Sequence, residues 1–296
     1  MDISVIIVNW NTKDILLRCL ESVFSTVNCL SSEVWVVDNG STDGSQAEVR
    51  RRFPEVKLIE NGANLGFARA NNRALERMAG RYAVLLNSDA RLTQGALEAI
   101  VEFMDGNAGV GVCGPQLLNE DGTLQNSIAN IPTLATELLN KSLLRRLFPG
   151  KYPGKEKRIK GPLEVESVIG ACMVVRKKAI DGVRGAGGVG LLDEDFFFFL
   201  EETDWCMRMR HEGWKVFFYP LSRVYHLQGA SAKKVNHRAR VEYWRSRYTF
   251  FRKHGSIPAR MVLRAGLFIR LLAGFLGSVL HNVFTLFMSD KARRRL

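Results

Sequence analysis

Short, unbroken apolar runs alternate with helical periodicity through the first hundred residues of the chain. Residues 3–8 and 34–38 are continuous apolar runs of strand length, and 56–60 and 82–87 read as a third and fourth strand. Runs without a polar break suit strands buried on both faces of a parallel sheet. Between them, residues 14–24, 44–53, 67–78 and 94–104 read as helices with one buried face. Four repeats of strand then helix predict a doubly wound α/β layer. No internal sequence repeat is visible.

After a fifth short run at 110–113 the pattern loosens. Residues 127–161 read as a connection with one amphipathic piece, 138–148, followed by the Pro/Gly/Lys stretch FPGKYPGKEKRIKGP. Residues 165–176 form a further apolar strand. The glycine-dense stretch 182–190 predicts a mobile loop. A short helix follows at 204–211, then a strand at 216–219 stopped by Pro220. From Asn236 the chain reads as helical to its end, which divides it into an α/β domain, 1–235, and a helical region, 236–296.

Composition narrows the class. At 46% hydrophobic and 24% charged, the 296-residue chain is neither disordered nor collagen-like. Cys19, Cys29, Cys113, Cys172 and Cys206 contain no CxxC pair, which argues against a zinc ribbon or a disulfide scaffold and for reduced thiols in a cytosolic compartment. Met1-Asp2-Ile3-Ser4 carries no basic n-region, so no secretory signal is expected. The formal net charge is +12, and its distribution matters more than its size. Residues 141–160 carry +7 and residues 233–296 carry +13, so the remaining body is acidic, at −8. A nucleic-acid reader usually places its basic charge on a folded recognition face. Two basic attachments on an acidic body point instead to an anionic membrane surface, with no nucleic-acid partner.

Residues 271–288 lack a formal charge and sit at the lower edge of transmembrane length. Arg270, Gly274, Gly277, Ser278, His281 and Thr285 nevertheless fall on one small-or-polar stripe. A helix in the membrane interface would turn that stripe to water and bury Phe275, Leu276, Leu280 and Phe287. A spanning helix would hide it against a partner. A helical pair packing on the α/β domain, or mediating a homodimer, is the remaining alternative.

Candidate chemistry gathers where strands end. The first strand runs into Asn9-Trp10-Asn11, the second into Asp38-Asn39-Gly40-Ser41-Thr42-Asp43, and the fourth into Asn87-Ser88-Asp89. Open parallel sheets bind ligands beyond these carboxyl ends. Single residues such as Ser41 or Asp43 serve equally well as helix caps. Asp38 terminates its strand, where a carboxylate can accept hydrogen bonds from ribose hydroxyls or a base N–H. Asp89 is the natural ligand for a hard divalent cation, with Asn87 a weaker neutral partner. The stretch Asn64-Leu65-Gly66-Phe67-Ala68-Arg69-Ala70-Asn71-Asn72 opens a helix whose N-terminus is a candidate to face a diphosphate. Asp193-Glu194-Asp195, an apolar run, then Glu201-Glu202-Thr203-Asp204 form the densest carboxylate group. The apolar run would raise a carboxylate pKa there, as suits a general base, although Thr203 or Asp204 also fits as the cap of a helix starting near Trp205. His226 follows a strand-like segment, and imidazole suits Mn and other transition metals.

The ordered set VIIVNWN, VVDNGSTDGS, NLGFARANN, LLNSDA, VIGACMVVR, FLEETDWCMRMRHEGW and VYHLQGAS resembles a family 2 glycosyltransferase, and within it the rhamnosyltransferase-like branch, over residues 3–255. The resemblance implies a GT-A fold with Asn9, Asn11 and Asp38 around the nucleotide and Asn64, Gly66 and Asn71 along the donor pocket. Asn87-Ser88-Asp89 matches the metal-binding DxD position, with Asp89 the metal carboxylate for Mg²⁺ or Mn²⁺. His226 matches a histidine that completes the metal–diphosphate site. Glu201-Glu202 falls where the family carries Glu-Asp, whose second residue is the base. Asn87 and Glu202 depart from the family residues, the first losing an acid and the second gaining a methylene. The implied reaction is inverting, metal-dependent hexosyl transfer from a dTDP- or UDP-sugar, rhamnose among the candidates, to a lipid-linked or polysaccharide acceptor of the cell envelope. The enzyme would be cytoplasmic and peripheral on the inner face of the membrane.

Two other classes remain. A sugar nucleotidyltransferase would carry a glycine-rich, basic loop after the first strand, and Asn9-Trp10-Asn11-Thr12 is not one. A non-catalytic carbohydrate or phosphate binder would use the basic segments alone.

Overall fold

The computed structural model describes residues 1–148, 159–185, 190–227 and 236–286. They fall into two compact units, residues 1–131 with 152–249 and residues 132–151 with 250–296.

The first unit is built on four parallel strands, β1 (Ile3–Asn9), β2 (Ser32–Asp38), β3 (Lys57–Glu60) and β4 (Tyr82–Asn87), in the spatial order β3-β2-β1-β4. Beside β4 lies antiparallel β10 (Cys172–Arg176). The sheet continues through β6 (Val110–Leu118) and β11 (Lys215–His226) to the edge strand β5 (Ala90–Leu92). β8 (Leu163–Glu164) adds to β11, and β7 (Ile128–Ala129) pairs separately with β9 (Ser167–Val168). The sheet is therefore mixed.

Both faces are buried, which explains the unbroken apolar runs. Ile3, Val5, Ile7, Tyr82, Val84 and Leu86 face one core, while Ile6, Ala83 and Leu85 face the other. The first core is covered by α1 (Lys13–Thr26), α2 (Ser45–Arg52) and α4 (Ala96–Asp105). The second is covered by α3 (Phe67–Leu75), α7 (Lys177–Gly185) and α8 (Glu201–His211). α1 buries Leu16, Leu17, Leu20 and Val23, one apolar stripe at helical spacing. After β3 the chain returns to the other side of β1, so a crevice opens at the carboxyl ends of β1 and β4.

Several boundaries differ from the sequence expectation. β11 continues through Pro220 to His226, because a register shift between Tyr219 and Arg223 absorbs the proline. The run 165–176 is divided between β9 and β10. α8 begins at Glu201, with Leu200 at its N-cap in place of Thr203 or Asp204. α7 takes in the start of the expected glycine loop, whose residues 186–189 lie outside the described residues.

In the second unit, the expected piece 138–148 contains α6 (Lys141–Leu147), and a separate short helix, α5 (Leu134–Leu138), precedes it. Asn140 caps α6 by accepting the Ser142 N–H at 2.8 Å. α9 (Asn236–His254) enters this unit at residue 250, and α10 (Ile257–Leu286) follows. Ile257–Leu280 is long and apolar enough to cross a membrane. Half of the basic stretch 141–160 (149–158), residues 228–235 after His226 and the Lys/Arg tail lie outside the described residues.

Candidate active site

Strand register builds the rim of the crevice. Asn9 pairs with Asp38 across β1 and β2, and Val8 with Asn87 across β1 and β4, so three polar strand ends meet in one row. Asn9 is fully buried. Its amide donates to Asp38 Oδ2 at 2.9 Å and Ser41 Oγ at 3.0 Å, and its Oδ1 accepts from Thr12 Oγ1 at 2.7 Å. Asp38 Oδ1 accepts from the Ser41 N–H and Gln46 Nε2, each at 2.8 Å. Thr12 in turn meets Ser88 Oγ at 3.1 Å across the crevice. Asn11, at φ 54°, gives its N–H to Ser41 Oγ and accepts the Thr42 N–H.

The 190s loop meets the start of α3. Phe67 N–H donates to Phe197 O at 2.8 Å. Gly66 has φ +85°, and a Cβ there would lie 2.5 Å from that same carbonyl, so glycine is needed for close approach of the 190s loop. Asn64 Oδ1 accepts the Gly66 N–H at 3.0 Å. Asn71 donates to Phe67 O, and its buried Oδ1 has no hydrogen-bond partner. Asn72 exchanges hydrogen bonds with the backbone of Leu192, tying the same loop to α3.

Asp89 and His226 meet because antiparallel pairing of β5 with β11 sets His226 opposite Ala90. Both are buried, with Asp89 Oδ1 3.3 Å from His226 Nε2. Gln125 donates to Asn119 Oδ1 and to His226 O, so its Oε1 accepts His226 Nδ1–H at 2.7 Å. That bond assigns the Nδ1 proton and leaves Nε2 as the ring nitrogen that faces the Asp89 carboxylate. With Nε2 protonated the pair is a hydrogen bond; with that proton gone, an imidazole nitrogen and a carboxylate oxygen at this separation match neighbouring ligands of a divalent cation, which in an octahedral shell of about 2.1 Å bonds lie about 3 Å apart. Asn87 Nδ2 is 3.5 Å from the same Nε2, at the limit of a hydrogen bond. Among the described residues no group of three His, Cys, Asp or Glu is placed to hold a metal, so substrate oxygens or water must complete any shell.

Phe199 and Leu200 both adopt positive φ, 74° and 69°, immediately before α8. This strained entry delivers two adjacent carboxyls into a low-dielectric setting. Glu201 is 3% exposed, Glu202 is half-buried against Gly170, and each leaves its Oε2 without a hydrogen-bond partner. Burial pushes the Glu202 pKa up, opposed by nearby backbone amides including that of Gly170. Burial and the neighbouring Glu202 charge push Glu201 well above the usual range. Both carboxyls are thus pushed up, the more deeply buried Glu201 further than Glu202. Asp204 is paired with Arg208 at 2.7 Å, and Asp193 closes a turn on the Asp195 N–H.

The family model for glycosyl transferase family 2 matches residues 4–184, well over half of the chain. The chain belongs to glycosyltransferase family 2. This glycosyltransferase is 28% identical over 258 residues to the N-acetylglucosaminyl-diphospho-decaprenol L-rhamnosyltransferase of Mycobacterium tuberculosis, covering 80% of the chain and 81% of that protein. It is 25% identical over 241 residues to the dTDP-rhamnosyl transferase RfbF of Shigella flexneri, covering 79% and 72%. Among solved structures, the mannosyltransferase PcManGT of Pyrobaculum calidifontis, in complex with GDP-Man and Mn²⁺, superposes with a TM-score of 0.58 at 16% identity over 99% of this chain and 82% of that one. GalNAc-T7 with UDP, GalNAc and Mn²⁺ gives 0.57 at 18% identity over 85% of this chain, which spans only half of that protein's chain. The glycosyltransferase thus has the expected GT-A fold, with a mixed sheet and a helical C-terminal extension.

In this glycosyltransferase the sequence motifs did not point to Gln125, Thr12 or Gln46, and Gly170 lies in a quoted motif without its contact to Glu202 being legible there. Gln125 sits in the loop after β6 with no motif around it, and Gly170 reaches Glu202 only through the turn between β9 and β10. Asn72 lies in a quoted motif, but its partner loop was not legible there.

Proposed function

We propose that this glycosyltransferase moves a hexosyl group, rhamnose from a dTDP-linked donor being the favoured case, onto a lipid-linked or polysaccharide acceptor of the cell envelope. The likeness to two rhamnosyltransferases, one named for a decaprenol-linked substrate, supports that choice. The reading rests chiefly on Glu202, a half-buried carboxylate with a raised pKa that packs on Gly170, next to Ala171, whose carbonyl accepts the N–H of Asn87 at the carboxyl end of β4. Glu202 takes the proton of the acceptor hydroxyl, and the freed oxygen attacks the anomeric carbon from the side opposite the leaving nucleoside diphosphate, with inversion. Glu201, held neutral, keeps the charge of the pair at one. Asp38 accepts from the nucleoside, positioned by Asn9, with Asn11 and Ser88 lining the pocket. Asn64, Gly66 and Asn71 hold the wall against which the donor lies.

Asp89 and His226 are the residues that would hold Mg²⁺ or Mn²⁺, which when bound neutralises charge on the leaving diphosphate. The first unit carries out catalysis, and the second, with the helical region 236–296, attaches the enzyme to the inner face of the cytoplasmic membrane. The test is a panel of dTDP-, UDP- and GDP-sugars with Mg²⁺ or Mn²⁺ and a polyprenyl-diphosphate-linked acceptor. Thermal stabilisation by the donor and release of its nucleoside diphosphate are expected, with dTDP-rhamnose giving the strongest response. Stabilisation without release from any donor would make the chain a binder.

A further inference from the structure

We infer that α10 lies in the plane of an anionic membrane surface, one apolar face in the lipid and the face that packs on α5 turned away from it. This deepens the membrane-attachment reading and depends on it. At 100° per residue, Met261, Ala265, Phe268, Leu272, Phe275 and Val279 fall along one side of the helix. All six are exposed, Met261 and Phe268 at 65% and Phe275 at 64%. The opposite side runs through Leu263, Gly266, Arg270, Gly274 and Gly277. Its first half is occupied. Leu263 is 2% exposed, a Cβ on Gly266 would strike Leu138, and Arg270 donates to the carbonyls of Glu137 and Leu138, each at 3.0 Å. Its second half continues as small residues, with nothing within 4 Å of a Cβ at Gly274 or Gly277. From Met261 to Val279, about 27 Å of the helix, one face is therefore apolar and uncovered, while the opposite face is committed to protein in its first half and carries small residues in its second.

Charge selects the occupant. The second unit holds thirteen Lys and Arg against Glu137 and Asp290, a net +11 that accounts for nearly all of the +12 of the chain. Two copies meeting through this unit would bring like charges together, whereas an anionic headgroup layer complements them. Spanning fits less well. The apolar window Ile257–Leu280 includes Arg260, Arg264 and Arg270, and threading it through lipid would bury three guanidinium groups and strip Arg270 from its two carbonyls. In the plane, long arginine stems reach the headgroups from the flanks of the helix.

The full-length chain with Cys29→Ser keeps only buried native cysteines, so single cysteines introduced at each position from 268 to 280 can carry an environment-sensitive fluorophore. Mixed with phosphatidylcholine–phosphatidylglycerol vesicles, the labels are expected to respond with a period of about 3.6 residues, strongest at 268, 272, 275 and 279 and weakest at 270, 274 and 277. A response that rises to a plateau without periodicity would mean a spanning helix and overturn the inference. So would an absent response accompanied by concentration-dependent dimer mass. Replacing Phe268 and Phe275 together with Glu should abolish vesicle flotation and leave donor turnover with a water-soluble acceptor unchanged. Wild-type chain that floats with the expected periodicity but releases no nucleoside diphosphate would sink glycosyl transfer and spare the membrane geometry.

Discussion

The two ends of the candidate site are built on opposite principles. At the β1–β2 rim every side-chain oxygen and amide of Asn9 and Asp38 is engaged by a neighbour within the protein. At the start of α8, two carboxyls sit side by side with buried oxygens left unbonded, behind two residues in left-handed conformations. A saturated network is rigid and holds a surface in one shape. An unsaturated, strained one is costly to the fold and is retained where chemistry needs it. The Asp89–His226 pair stands between them, the imidazole oriented by Gln125 and its Nε2 facing the carboxylate.

The sharpest way to break this contrast is at the glutamates. Glu202→Gln should lower kcat by about 10²–10⁴-fold while leaving donor-induced thermal stabilisation intact. Glu201→Gln should keep transfer, and the reverse pattern would exchange their roles. Because burial raises the pKa of Glu202 and the base must be ionised, the acidic limb of kcat should lie above the ordinary carboxylate range. The stability of the fold should respond in the opposite sense to Glu201. Its unfolded form loses a proton near the usual glutamate value while its folded form keeps it, so stability falls as pH rises between the two. Glu201→Gln should flatten that fall, as thermal melts across pH would register.

An intermediate effect is expected at Gln125. Gln125→Leu should weaken metal activation by about 10–100-fold in a Mn²⁺ titration, with secondary structure unchanged. Unchanged metal dependence would make the contact to His226 merely structural. The smallest effect belongs to the saturated end. Asn9→Ala should reduce unfolding stability by about 1–3 kcal/mol in denaturant, because it strips a hydrogen bond from buried Asp38. Lost donor affinity with stability intact would show that Asn9 binds the ligand directly.

The parallel half of the fold was legible because β1, β2 and β4 are buried on both faces and leave an unbroken apolar run in the sequence. The antiparallel half was harder to read. β5 is three residues long, and β11 passes a proline that a register shift accommodates, so neither leaves a clean pattern. Asn9, Asp38, Asp89 and His226 were recognisable as strand-end or motif residues. That Asn9 faces inward, that Phe197 meets the start of α3, and that Gln125 orients His226 depend on contacts between distant loops, for which local spacing carries no signal.

The strand β5 also sets an order of assembly during synthesis. Asn9 and Asp38 are 29 residues apart and belong to adjacent strands, so their contact can form soon after the second strand leaves the ribosome. The contact of Asn87 with His226 closes a separation of 139 residues, and β5 has only β11 as a sheet neighbour among the described residues. Long-range pairings of this kind form late. A nascent chain halted before residue 215 would therefore carry the Asn9–Asp38 rim without the Asp89–His226 pair, so one end of the candidate site would take shape during translation before the other.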